Sequence, residues 1–513
     1  MLWRSTYPGV PVGATTLPAM VWATIERQPD RVALVEGVSG ASVTYAEFGR
    51  RMERIAAWLA RRGIGAGDTV AIWAPNTPPW AAFALATMRL GAAVTGVNPG
   101  WTAPEASRHI TDAGAALVVT IPPLAAAAGA TVGLDRVVVL GDGDGGGAAT
   151  LADVLAGTDP APPIHPDEHA VAMLPYSSGT TGLPKGVRLT HTNLVTSVRQ
   201  VETVARFGDT DIVLALAPFF HVLGGIVTLA VPLAVGATVV TVPRFDPALV
   251  LDVIEKHRVT VTAVPPPVAG FLAGHPAATG RDLSSLELVA VGGAPLPIAV
   301  QAALAARLPG CVVGQGWGLT ETTASVCVPD RRHPSPAGTV GRLLPNTELT
   351  VVDPRTGRAV DAGEPGELWV RGPQVMAGYL NQPAATAETV DADGWLHTGD
   401  LGHVDPDGNV TVTDRLKELI KVDGYQVAPA ELEALLLTHP GIVDAAVVGR
   451  PDERHGELPV AYIVAAEPLD LATVRVWVAE RVAGYKRLAD VTEVPALPRT
   501  PSGKLLRREL KPS

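Results

Sequence analysis

Residues 176–187 read YSSGTTGLPKGV and follow an apolar run that begins at Ala170. Tyr176, Ser177, Ser178, Thr180 and Thr181 bring hydroxyls. Gly179, Gly182 and Gly186 bring backbone that approaches a ligand closely and turns its N–H groups toward it. Donors aimed at phosphate oxygens, together with the point charge of Lys185, are the make-up of a polyphosphate cradle set after an apolar strand. The stretch is not the common P-loop, which needs a glycine before the lysine and a hydroxyl after it. Pro184 and Gly186 hold those places here. An ordered Pro-Lys-Gly turn is equally unlike a flexible linker.

Lysine usage points the same way. Of 40 lysines and arginines only seven are lysines: Lys185, Lys256, Lys417, Lys421, Lys486, Lys504 and Lys511. An ammonium is a compact charge that arginine does not mimic, so lysines kept against such a bias are candidates for chemistry. Chance scatter accounts for Lys256 and Lys511.

At 513 residues the chain calls for two to four domains. A net charge of −11 argues against general nucleic-acid binding. The charge is uneven, because residues 415–513 hold 14 basic and 14 acidic side chains and the whole deficit lies upstream. Two cysteines, Cys311 and Cys327, make neither a disulfide framework nor a four-thiolate metal site, and fit a reducing, cytoplasmic setting. No signal peptide is visible. The longest stretch without a formal charge, Ile212–Pro243, is long enough to span a bilayer. Pro218, Gly224, Gly225, Pro232 and Gly236 interrupt it, however, and it reads as a buried strand, helix and strand.

Apolar β-rich runs alternate with amphipathic helices. A helix is expected from Tyr45 to Arg62, a strand at Val70–Trp73, a helix near Pro79–Leu90, and strands at Val94–Val97, Ala116–Thr120 and Arg136–Leu140. This alternation implies βαβ units and parallel sheets. The pattern resumes from Ala170 to about Gly318. Residues 338–415 turn strand-rich, with runs at Glu348–Val352, Gly366–Arg371 and Asn409–Thr413, which suggests a smaller β-subdomain or barrel. A fresh α+β pattern starts after Arg415, with a helix near Pro429–Thr438 and strands near Ala445–Gly449 and Pro459–Val464. The boundary is placed at 415–417, giving units 1–415 and 416–513.

Other motifs carry chemistry in combination. Residues 141–146 formally match a dinucleotide fingerprint, but Asp142 and Asp144 would repel a pyrophosphate and a surface loop is the better reading. In QGWGLTET at 315–322, Trp317 offers a flat face for a base, Thr320 a phosphate donor and Glu321 a magnesium ligand. Upstream, GGAPL at 292–296 is a close-approach turn. His221, in PFFHVLGG, is either a satisfied core histidine or a pocket wall beside a carboxylate. Asp400, after a glycine turn in GWLHTGD, can accept both hydroxyls of a ribose. Arg415, Lys417 and Lys421 sit on the domain boundary, and PRTPSGK at 498–504 presents Lys504 near the chain end.

As a set, these motifs resemble the adenylate-forming superfamily of acyl- and aryl-CoA synthetases, firefly-type luciferases and peptide-synthetase adenylation domains. The chain looks closest to the branch like 4-coumarate–CoA ligase. The resemblance runs from about Thr44 to Leu510 and carries six motifs in the family's order. It implies an α/β protein: a large N-terminal domain of two sheet-and-helix subdomains plus a distorted β-barrel, and a small mobile α+β C-terminal domain. It also implies two half-reactions. A carboxylate attacks the α-phosphate of Mg-ATP to give acyl-AMP and pyrophosphate, and the thiol of CoA then displaces AMP.

Carried over by the resemblance, Ser177, Ser178, Gly179, Thr180, Thr181 and Lys185 form the phosphate loop. Gly293, Ala294, Pro295, Gln315, Gly316 and Trp317 surround adenine. Thr320 meets phosphate, Glu321 magnesium, and Asp400 and Arg415 the ribose. Lys504 bridges carboxylate and phosphate, and Lys417 is the hinge. Lys421, Gly424 and Gln426 face the site in one or other rotated state, while His221 borders the acyl pocket and the thiol's approach. Trp317 stands where 4-coumarate ligases have tyrosine, and still stacks. Val222-Leu223 follow His221 where those ligases have an aliphatic residue then tyrosine, which removes a polar wall and counts against a hydroxycinnamate. No aspartate stands near His221 to pair an amino-acid ammonium. An aliphatic or plain aromatic acid fits a pocket lined by Phe220, Val222, Leu223 and Gly224. An acyl carrier protein in place of CoA, a luciferase-like oxygenase and a non-catalytic homologue are the alternatives; retention of Glu321 and Lys504 argues against the last.

Overall fold

Two seven-stranded sheets form the body of the protein, which is described here from a computed structural model. The structure describes residues 1–141, 145–164, 166–177, 184–423, 425–452, 454–500 and 503–510, except the side chain of Gln426. In the first sheet the order is Leu189–Thr190, Val171–Met173, Ala93–Gly96, Thr69–Trp73, Ala115–Thr120, Val137–Val139 and Ala149–Thr150. In the second it is Val312–Gln315, Leu288–Val291, Val261–Val264, Ile212–Ala215, Thr238–Thr241, Val32–Glu36 and Ser42–Thr44. Each is parallel except for one antiparallel edge pair. All five residues of Thr69–Trp73 are buried, as expected of a parallel strand covered on both faces.

Local chemistry places the covering helices. The Thr44 hydroxyl accepts from Glu47 N and starts helix Tyr45–Arg61. Thr77 does the same for Pro78–Arg89, whose proline sits in the first turn where no N–H is needed. Ile212–Pro243 resolves into the strand, helical turns and strand expected of it: Ile212–Ala215, Leu223–Ala230 in π-helical form running into Val231–Val235, then Thr238–Thr241. Among the described residues no helix is long and apolar enough to cross a membrane.

The strand-rich region forms a six-stranded antiparallel sheet of Leu2–Arg4, Glu348–Asp353, Arg358–Ala359, Gly366–Arg371, Leu396–Val404 and Val410–Arg415. Single bridges from Val410 to Gly341, and from Leu343 through Cys327 to Trp317, extend the pairing onto the 315–327 segment. The first strand was not expected. It is only three residues long and is recruited by Glu348–Asp353 from more than 340 residues away. Asp400 lies within strand Leu396–Val404, where a glycine turn was expected. The C-terminal part builds its own sheet from Ile420–Val422, Tyr425–Val427, Ile442–Asp452, Gly456–Ala465 and Asp490–Glu493, over two apolar clusters of its own. Residues 142–144 of the glycine-rich stretch lie outside the described residues.

One side chain joins the two large sheets. Asn76 follows strand Thr69–Trp73 and is buried. Its Nδ2 donates to the carbonyls of Ala215 (3.0 Å) and Ala217 (2.9 Å), and its Oδ1 accepts from Phe219 N at 2.7 Å. Gly96 fits here because a Cβ would stand 2.5 Å from the Phe220 Cα. The loop so fixed ends in His221. Replacing Asn76 by alanine strands two carbonyls and one amide in the interior and is expected to cost about 3 kcal/mol. A urea titration should show a lower midpoint with an unchanged slope.

Candidate active site

The carboxyl ends of the strands open on a cavity of about 530 Å³. This is where parallel sheets leave a crevice for ligands. Ser177, Lys185, His221, Gly293, Gly316, Trp317, Thr320, Glu321, Arg415, Lys417 and Lys504 all line it. These residues come from motifs up to 327 positions apart, since Ser177 and Lys504 share one wall system.

The ends of the glycine-rich loop are zipped together, with Ser177 opposite Lys185 and Tyr176 opposite Gly186 in an antiparallel ladder. Tyr176 anchors the entry. Its OH donates to Asp112 Oδ2 at 2.6 Å, and its ring lies 3.9 Å from that of His109. Burial drives His109 down to about 3, so the supporting ring is neutral at physiological pH. Ser178, Gly179, Thr180 and Thr181 lie outside the described residues.

A residue that sequence reasoning missed, Tyr379, fixes the exit. Leu380 N donates to Gly186 O (2.8 Å) and Arg188 N to Gly378 O (2.9 Å), so the 376–380 strap runs along the loop's outgoing backbone. The Tyr379 ring lies under Lys185, with Nζ 4.8 Å from its centroid. Its hydroxyl donates to Glu321 Oε1 at 2.9 Å, while Met376 N donates to the Glu321 carbonyl at 2.9 Å. The lysine of the first motif and the carboxylate of the second therefore share one aromatic side chain. The only signal was a tyrosine between glycine and leucine, and its long-range pairing is invisible in sequence.

Asp400 is buried behind the cavity and does not line it. Its Oδ2 accepts from the Trp317 indole N–H at 2.8 Å and its Oδ1 pairs with Arg415 Nε at 2.8 Å. The expected free ribose acceptor is thus already engaged by two neighbours, and it acts on the cavity through them. Trp317 is itself buried, so its ring is more a fixed wall than an open platform. Gly318 is required here, because a Cβ would sit 2.1 Å from the Ala324 carbonyl.

Four further expectations change. Ala294 and Pro295 do not line the cavity, and of that turn Gly292 and Gly293 do. Gln315 also stays out, because its Oε1 turns back to accept from Leu296 N at 2.6 Å and holds the turn. Phe220 and Gly224 are absent from the lining, whereas Val222 and Leu223 are present. Lys421 is exposed and away from the cavity, with its N–H given to Glu457. Gly424 lies outside the described residues, as does the side chain of Gln426.

Lys504 enters from the C-terminal part. Arg499 and Leu505 bridge, Lys504 N donates to the Thr500 hydroxyl at 3.0 Å, and Gly503 adopts φ +83°. That glycine abuts Pro265 so closely that a Cβ would stand 2.5 Å from the proline Cβ. Burial and the nearby Arg415 lower the Lys504 ammonium's pKa, while Glu418, Asp400 and Glu321 oppose this. Burial, with help from Lys504, holds His221 down at about 4. Its Nδ1 accepts from Leu223 N at 3.3 Å, so the neutral ring carries its proton on Nε2. The arrangement offers cations, a buried carboxylate and a neutral N–H donor around one space, which suits a polyanion meeting a second, apolar reactant.

Residues 21–380 match the family of AMP-binding enzymes, and residues 431–504 match the AMP-binding enzyme C-terminal domain. The chain is 40% identical to 4-coumarate–CoA ligase 3 of Oryza sativa subsp. japonica, over 100% of this chain and 94% of that protein. It is 38% identical to 4-coumarate–CoA ligase 1 of Narcissus pseudonarcissus, over 99% and 96%. Among solved structures, ATP-bound MatB from Rhodopseudomonas palustris superposes with a TM-score of 0.88 at 29% identity, covering 97% of this chain and 98% of that one. The o-succinylbenzoate CoA synthetase of Bacillus subtilis, in complex with its acyl-adenylate, superposes with a TM-score of 0.85 at 29% identity, covering 96% and 98%.

Asp400→Asn tests the buried pair. Arg415 keeps its charge and loses its partner, so the variant is expected to lose about 3 kcal/mol of stability. An unchanged denaturation midpoint would show that the pair is not held in solution.

Proposed function

The chain belongs to the AMP-binding enzyme family, within the adenylate-forming superfamily, and from that premise we propose that it is an ATP-dependent carboxylate–CoA ligase. It activates a fatty or aromatic acid as acyl-AMP with release of pyrophosphate, then transfers the acyl group to the CoA thiol. The observation that carries this reading is the meeting of Lys504 with Glu321, Arg415 and His221 in one cavity, from segments far apart in the chain.

In the first step a carboxylate oxygen bonds to the α-phosphorus of ATP and the bond to the outgoing pyrophosphate breaks. Two anions must approach, so the barrier falls with charge neutralisation and in-line placement. Lys504 is the cation placed to span the carboxylate and the phosphate. Lys185 and the loop from Ser177 to Thr181 hold the phosphates that leave, with Thr320 adding a donor. Gly293, Gly316 and Trp317 wall the adenine, with Ala294, Pro295 and Gln315 shaping the turn behind it. Arg415, steered by Asp400, meets the ribose. Glu321 suits a magnesium ion that arrives on the phosphates and keeps most of its ligands from phosphate and water. The ion would neutralise phosphate charge.

In the second step the thiol attacks the acyl carbonyl and AMP leaves. His221, neutral and with its Nε2 proton, borders this approach. We assign units 1–415 and 416–513, with Lys417 as the hinge about which the smaller one turns. Lys421 is away from the cavity in the present arrangement and would come to face it in the other, where Gly424 and Gln426 are assigned to face it too. The separate apolar clusters of the C-terminal part support this division. An acyl carrier protein presents the same kind of thiol on a phosphopantetheine arm, and replacing CoA by such a carrier in the assay decides between acceptors.

Two variants test the reading. Lys504→Ala should lower ATP–pyrophosphate exchange by about 10² to 10³-fold, the loss typical of removing one charge-stabilising donor, with the circular dichroism spectrum intact. Normal exchange would overturn the assignment. Lys417→Pro should slow thioester formation from preformed acyl-AMP more than it slows pyrophosphate release; equal losses would count against a hinge.

A further inference from the structure

The cavity has a second arm that the nucleotide groups do not use. Paired strands Val261–Val264 and Leu288–Val291 line it on one face. Gly292 and Gly293 lie at its mouth, and Val261 and Leu288, three residues down from the strand ends Val264 and Val291, lie at its far end. At about 3.3 Å per strand residue the arm is about 10 Å deep. It runs inside the largest apolar cluster of the protein, beside Val201, Ala205 and Val227.

The arm holds little that could greet a polar group. The Thr228 hydroxyl donates to Gly224 O at 3.0 Å and the Thr262 hydroxyl to Leu214 O at 3.2 Å, so both protons are committed to backbone. Ser325 and Cys327 stand near the mouth. A Cβ on Gly318 would lie 2.6 Å from the Ser325 Cα, and Cys327 bridges Trp317. The cations that line the cavity, Lys185, Arg415, Lys417 and Lys504, all belong to the nucleotide end.

Phe207 lines the cavity and belongs to the same apolar cluster as Val261 and Leu288, which places it at the floor. Behind it stands Arg331, with its guanidinium 5.9 Å from the ring centroid. Its two terminal nitrogens are taken, because Asp211 accepts from Arg331 Nη2 at 2.9 Å and Nη1 at 3.2 Å, and also from Thr260 and Gly208 N; its Nε has no partner among the described residues, but Arg331 does not line the cavity. A carboxylate or phenol reaching the floor would therefore be buried without a partner, which is costly in an apolar interior.

We propose that the acid activated is an apolar monocarboxylic acid with no polar group at its far end, and that Phe207 sets its length. The proposal rests on the carboxylate–CoA ligase reading. With carbon–carbon bonds of about 1.5 Å, a 10 Å arm takes an extended chain of about eight carbons, or an unsubstituted ring on a short tether.

The test is a matched-pair screen of CoA ester formation by the full chain. Octanoate is set against octanedioate, and cinnamate against 4-coumarate. The unsubstituted member of each pair should show kcat/KM at least about tenfold higher. Equal or reversed preferences in either pair would overturn the proposal while leaving the ligase reading in place. Release of pyrophosphate with none of the four acids, nor with a broader acid panel, would instead overturn the ligase reading and this proposal with it. Phe207→Ala should move the chain-length optimum from octanoate toward dodecanoate; an optimum that stays put would overturn the role of Phe207. Should that variant fail to fold, Phe207→Leu, which shortens the floor less, is expected to shift the optimum in the same direction by a smaller step, and an unchanged optimum there would overturn that role equally.

Discussion

Asp400 is the carboxylate on which the site's geometry hangs. It is buried, and a buried charge persists only when it is paired and hydrogen-bonded. Its two partners come from opposite directions in the chain. Trp317 follows strand Val312–Gln315 of the second large sheet, and Arg415 ends strand Val410–Arg415 of the antiparallel sheet. One carboxylate thus fixes a wall of the cavity and aims a guanidinium into it. Arg415 in turn raises the cost of a charge on Lys504, while Glu418, Asp400 and Glu321 offset that cost. The cationic character of the site is a balance among residues that no single segment contains.

Lysine scarcity proved informative in part. Lys185, Lys417 and Lys504 line the cavity. Lys486 does not; it is spent on Glu431 at 2.6 Å. Lys421 is exposed in this arrangement. Rarity marks residues that resist replacement, but it does not separate ligand contacts from surface ion pairs, since both exploit a compact ammonium.

Elements whose cause is local were legible. The helices begun at Tyr45 and near Pro79, the all-apolar strands and the broken apolar run after Ile212 each follow from neighbours in the chain, and their boundaries agree within a residue or two. What was not legible depends on distant partners. Leu2–Arg4 becomes a strand only because Glu348–Asp353 offers an edge. Asp400 was read as following a turn because Gly399 precedes it, yet Gly399 donates its N–H to Glu367 Oε1 and the strand continues through it. Gln315 looked like a ligand contact and instead braces the turn at Leu296. Tyr379 showed only as a tyrosine between glycine and leucine, although it touches both Lys185 and Glu321.

Gly503 meets Pro265 by fit and brings almost no surface of its own to the contact. Adhesion between apolar groups scales with the area they remove from water. A glycine edge against a proline ring removes little, so the Lys504 loop is located without being glued. The placement of that ammonium is steric and its attachment weak, which are separable properties. A larger residue at 503 would alter both at once, by pushing the loop outward and by giving it something to stick with.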